Sequence, residues 1–77
     1  MPHISLKMLK GRTDAQKELA VKKLTEALKE AIGASDTHIS VSVEDYTAEQ
    51  WQDVFKKEIA ENPHIMKKPC YDPKDLL

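Results

Sequence analysis

The residue best suited to proton chemistry in this chain is Pro2. Removal of an initiator methionine ahead of a proline leaves a secondary amine at the terminus. An α-amino group titrates near about 8 in an unperturbed peptide, closer to neutrality than a lysine. Apolar surroundings or a neighbouring cation disfavour its protonated form and lower that value further. Such a base is what proton abstraction beside a carbonyl requires. The competing reading is that the proline merely starts an edge strand, where its missing N–H costs nothing. The residue taken alone favours that second reading. The remaining inventory is thin. His3, His38 and His64 fall on two strands and a tail without ligand spacing, so neither a metal nor another cofactor is expected. The serines show no spacing that pairs a nucleophile with a base. Cys70, the single cysteine, excludes an intrachain disulfide and reads as an ordinary free thiol between Pro69 and Tyr71.

The elements that must position Pro2 follow from periodicity. Over residues 2–9, Ile4, Leu6 and Met8 alternate with His3, Ser5 and Lys7, the pattern of a half-buried strand. Gly11 interrupts it, and Thr13-Asp14-Ala15-Gln16 reads as a capping box. A helix over about 14–32 follows, with Ala20, Leu24, Ala27, Leu28 and Ala31 at helical spacing and Gly33 as its stop. A second strand over about 38–45 turns Ile39, Val41 and Val43 inward and His38, Ser40, Ser42 and Glu44 outward. Strand, amphipathic helix and strand form a βαβ unit, which requires parallel strands and a right-handed crossover. Thr47-Ala48-Glu49-Gln50 opens a second helix over about 48–61, with the stripe Trp51, Val54, Phe55 and Ile59, stopped by Asn62-Pro63. The tail, 62–77, is expected to be extended or turned, with a short paired segment near residues 65–67. The fold class is therefore α/β, a single domain over 1–77. Its two strands are too few to be stable alone, so the sheet is expected to be completed by homo-oligomerisation.

Composition narrows the partners. The chain has 77 residues and a formal net charge of -1, with 12 basic and 13 acidic residues. Its lysines alternate with glutamates on the helices, the pattern of a solvated face and not of a phosphate-binding surface. No apolar run reaches membrane-spanning length, and the first residues lack the character of a signal peptide. The expectation is a cytoplasmic protein with no nucleic-acid or membrane partner.

The whole pattern then changes the weight of Pro2. Pro2 opening a strand, followed by Gly11-Arg12-Thr13-Asp14-x-Gln16-Lys17 opening a long helix and then a second strand, resembles the 4-oxalocrotonate tautomerase family. The resemblance runs from Pro2 to about Trp51. It implies that Pro2 is the general base and acid, shuttling a proton between carbon and oxygen of an enol acid. By the same resemblance Arg12 would hold the substrate carboxylate, a role that suits its planar fork of donors. Trp51 would wall the site, although its place on the stripe with Phe55 also suits plain core packing. The founding enzymes carry an arginine, contributed across a subunit interface, where this chain has Ser40. The longer C-terminus, with Lys67 and Lys68, resembles a branch of dimers that act on phenylpyruvate-like enols. The implied activity is enol–keto tautomerisation of a small monocarboxylic 2-oxo acid by a dimer in preference to a hexamer. The alternatives are hydratase, dehalogenase or decarboxylase chemistry on the same fold, or a non-catalytic oligomeric binding protein.

Overall fold

The computed structural model describes all residues from Met1 to Leu77, which divide into two compact units, Met1–Asp45 and Tyr46–Leu77. The first unit is built on strand β1 (His3–Leu9), helix α1 (Asp14–Ile32), a 3-10 turn (Asp36–His38) and strand β2 (Ser40–Tyr46). The last residue of β2 belongs to the second unit. β1 and β2 form a two-stranded sheet. Its register is read from two side-chain pairs, His3 with Ser40 and Lys7 with Glu44, each 37 residues apart. A constant difference, in place of a constant sum, means that the strands run parallel. The βαβ arrangement expected from the sequence is therefore present.

Each boundary has a local cause. Gly11 adopts φ 131°, outside the range comfortable for other residues, and lets the chain leave β1. Thr13 caps α1: its Oγ1 accepts from the Gln16 N–H at 3.1 Å, and Gln16 Oε1 accepts from the Thr13 N–H at 2.9 Å. At the other end Gly33 takes the left-handed conformation at φ 68° and its N–H donates to the Lys29 carbonyl. The second strand, expected over 38–45, begins only at Ser40 because Asp36–His38 form the tight turn, closed by the Ile39 N–H on the Asp36 carbonyl. Lys17 Nζ, near the start of α1, pairs with Asp45 Oδ2 near the end of β2 at 2.5 Å, both side chains being half-buried.

In the second unit α2 (Ala48–Val54) opens on another closed capping box, Thr47 with Gln50. The helix expected over 48–61 keeps α geometry only to Val54 and then widens into a π-helical turn over Phe55–Ala60, where the Glu61 N–H reaches back five residues to the Lys56 carbonyl. Asn62 ends it, donating to the Glu58 carbonyl and accepting from the His64 N–H. The paired segment expected near residues 65–67 is absent: Ile65 donates to the Asn62 carbonyl in a turn. That edge finds no neighbouring strand within one chain. The rest of the tail is turned as expected, closing in a 3-10 turn at Pro73–Leu76 led by Asp72, which accepts from the Lys74 N–H. No helix is long and apolar enough to cross a membrane.

The core is incomplete. Ile4, Leu6, Met8, Val41, Val43, Leu24 and Leu28 are all only half-buried, and no residue of the chain is fully buried. Leu19 and Ile32 on α1 and Met66 in the tail stand largely exposed.

Two stability measurements follow. Thr13→Ala should cost about 1 kcal/mol in urea unfolding, since it opens the capping box of α1. Lys17→Met should cost about 1–3 kcal/mol, because Asp45 Oδ1 is already buried without a partner and Oδ2 would lose its cation. A loss smaller for Lys17→Met than for Thr13→Ala would contradict that ranking.

Candidate active site

Pro2 lies immediately before β1 and is half-buried. Its carbonyl accepts from the Ser40 N–H at 3.2 Å, so the first turn of the chain is held against the start of β2. Chain termini tend to fray unless tied into the fold, and here the tie is made by the residue in question. Beside it, His3 Nδ1 and Ser40 Oγ lie 2.6 Å apart. Parallel pairing thus brings together Pro2, His3 and Ser40, residues from opposite ends of the first unit's sequence. His3 reads from sequence as a polar residue on a solvent-facing strand position, with no sign of its link to Ser40. Alternation assigned both to the outer face, but no local signal gives the register between strands joined by a long crossover.

Arg12 is placed elsewhere. It is exposed in the connection between β1 and α1, at the end of β1 opposite Pro2. The seven residues of β1 rise about 3.3 Å each, which separates the two ends by roughly 20 Å. Within one chain Arg12 therefore stands apart from Pro2. Lys7 fills the outer face between them, donating to Ser5 Oγ at 2.7 Å and meeting Glu44 at 3.4 Å.

Trp51 belongs to the second unit. Its indole N–H donates to the Tyr71 hydroxyl at 2.8 Å, and its ring meets Tyr46 edge-on with centroids 6.2 Å apart. Tyr71 also meets Phe55 edge-on at 5.4 Å. Gln52 Nε2 holds the Pro73 carbonyl at 2.8 Å. These contacts strap the tail across α2 and fix the indole, whose polar edge needs such a partner. Cys70, Lys67 and Lys68 are exposed.

The sequence pattern of the family described as tautomerase enzyme matches residues 2–53, more than half of the chain. The chain belongs to the 4-oxalocrotonate tautomerase family. It is 53% identical over 45 residues to a 2-hydroxymuconate tautomerase of Bacillus subtilis (strain 168), covering 58% of this chain and 73% of that one. It is 32% identical over 73 residues to Tautomerase PptA of Escherichia coli O127:H6, covering 92% of this chain and 97% of that one. Among solved structures it resembles YwhB, a homologue of 4-oxalocrotonate tautomerase, with TM-score 0.62 and 47% identity over 64% of this chain and 80% of that one. As a member of this tautomerase family the chain is an enzyme of the isomerase class.

The aromatic strap of this tautomerase offers a direct test, because Trp51 is the only tryptophan. Tyr71→Phe removes the acceptor of the indole N–H while leaving the ring against Phe55. Its expected effects are a shift in tryptophan emission and a stability loss of at most about 1 kcal/mol. An unchanged emission spectrum would show that the hydrogen bond does not persist in solution.

Proposed function

We propose that this tautomerase interconverts the enol and keto forms of a small, phenylpyruvate-like 2-oxo acid, with the Pro2 amine as general base and acid after Met1 is removed. The observation that carries this reading is the hydrogen bond from the Ser40 N–H to the Pro2 carbonyl, which anchors the second residue of the chain at the head of the sheet. A fixed secondary amine is the arrangement that proton transfer to a bound substrate requires. The neutral amine takes the proton from the enol hydroxyl, leaving an enolate, and returns it to the neighbouring carbon. The keto acid leaves and Pro2 is neutral again.

The whole chain then acts as one tautomerase module in a homo-oligomer, with Arg12 supplied to Pro2 by a second copy. The roughly 20 Å length of β1 supports this reading, since the arginine cannot serve the proline of its own chain. The absence of any fully buried residue supports it too, as does the two-stranded sheet, which needs further strands or packing to be independently stable. We assign Trp51 and Ser40 as further substrate-binding residues. The dimer is favoured over the hexamer because of the longer C-terminus, the feature that resembles a branch of dimers. A reducing, cytoplasmic setting accords with a single exposed thiol.

A second substrate reading rests on the higher identity to 2-hydroxymuconate tautomerase over the first part of the chain. Ser40, a neutral residue, favours the monocarboxylate. The two are separated by comparing kcat/KM for phenylenolpyruvate with that for 2-hydroxymuconate, and the first is expected to be larger.

Pro2→Ala, or a tag that leaves the terminus blocked, should lower kcat for ketonisation by at least about 100-fold, the smaller end of what a positioned acid–base group contributes. The mass of the intact protein should lack Met1. Retention of Met1 with full activity would rule Pro2 out. Arg12→Ala should raise KM by about tenfold, the scale of a charge-assisted hydrogen bond. Sedimentation of the wild-type protein should report a dimer.

A further inference from the structure

The proton shuttle needs a group at the oxygen of the substrate, where negative charge develops once Pro2 has taken the hydroxyl proton. That oxygen is attached to the carbon next to the one that is protonated, so the group must lie close to the pyrrolidine nitrogen. Arg12 of the same chain is excluded by the length of β1. Ser40 is close. Its amide donates to the Pro2 carbonyl at 3.2 Å, and that carbonyl oxygen is three covalent bonds from the pyrrolidine nitrogen. The Ser40 backbone is therefore within about 7 Å of the base, by ordinary backbone dimensions.

We propose that Ser40 donates its hydroxyl proton in a hydrogen bond to the enolate oxygen, and that His3 is the positioning residue that makes this donor available. A serine hydroxyl has one proton to give and rotates freely unless it is held. His3 Nδ1 holds it at 2.6 Å. With the proton on Nδ1 the ring donates to Oγ, fixes the oxygen and leaves the hydroxyl proton to turn toward the substrate. Both residues project from the outer sheet face at its Pro2 end and are exposed, so a ligand can reach them. Farther along that face Lys7 is engaged with Ser5 and Glu44. Preorganised donors aimed at developing charge act on the transition state more than on the ground state, and so appear in kcat. No proton passes through His3: the hydroxyl proton of the substrate goes to Pro2 and from Pro2 to carbon, while Ser40 and His3 keep theirs.

This inference rests on the reading of Pro2 as the base. The test measures phenylenolpyruvate ketonisation by mature protein, with Met1 removal checked by mass and folding by circular dichroism. Ser40→Ala should lower kcat by about 10- to 100-fold, with KM within about twofold. His3→Leu should lower kcat to a similar degree. The double variant should be no slower than Ser40→Ala alone, since the two residues act as one unit. His3→Asn, which keeps an amide donor where Nδ1 stands, should recover most of the loss. The proposal is overturned if Ser40→Ala leaves kcat unchanged, if the loss appears only in KM, if the two single effects multiply, or if His3→Asn is no better than His3→Leu. Should Pro2→Ala retain full activity, the base itself is wrong. Loss with Pro2→Ala but none with Ser40→Ala overturns this inference alone.

Discussion

The parallel pairing of β1 with β2 is the constraint on which the first unit depends. Parallel strands cannot be joined by a tight turn, so the chain must cross over through α1 and return to the end from which it started. That return delivers Ser40 to Pro2, across nearly the whole unit in sequence. The hydrogen bond from the Ser40 N–H to the Pro2 carbonyl and the His3–Ser40 side-chain hydrogen bond are both products of this register. A slip of one residue would turn Ser40 to the inner face and bring Ile39 or Val41 outward. The polar head of the sheet would then be lost together with the anchor on the second residue.

The same pairing sets a separation as well as a contact. β1 is extended, so its two ends are as far apart as its length allows. Pro2 and Arg12, ten positions apart in sequence, therefore become the two poles of the unit and not neighbours in one pocket. Two features of the molecule stand beside this separation. One is a shortage of burial: the apolar faces of β1, β2 and α1 reach only partial coverage, and Leu19 and Ile32 stay open to solvent. The other is that the residues proposed to share one substrate lie apart within one chain. The proposed assembly with a second copy would answer both, covering apolar surface and bringing an arginine to a proline.

The second unit uses a different kind of order. Its short helix passes into a π-helical turn, and its aromatic residues meet edge-on instead of forming a layered core. Trp51 and Tyr71 are joined through their polar edges, and Gln52 clasps the Pro73 carbonyl. Such contacts hold a proline-containing tail that has neither sheet nor helix of its own length to stabilise it. The strap sets where the indole can point, and it does so through a residue twenty positions away.

The sequence by itself determined the elements and the family. Capping boxes at Thr13 and Thr47, the stop at Gly33 and the period-two runs are local signals, because backbone groups at helix ends and strand faces answer to residues a few positions away. Pro2 could be singled out in the same way, since the chemistry of a secondary amine needs no fold to be stated. The tertiary structure alone decided the neighbours. The link between His3 and Ser40, the separation of Arg12 from Pro2, the π-helical widening after Val54 and the partner of the Trp51 indole depend on register and on distances across the fold. A crossover of this length leaves register open, because its loop and helix can deliver the returning strand at more than one position. The pairing energy of the strands then selects one, and with it the residues that meet.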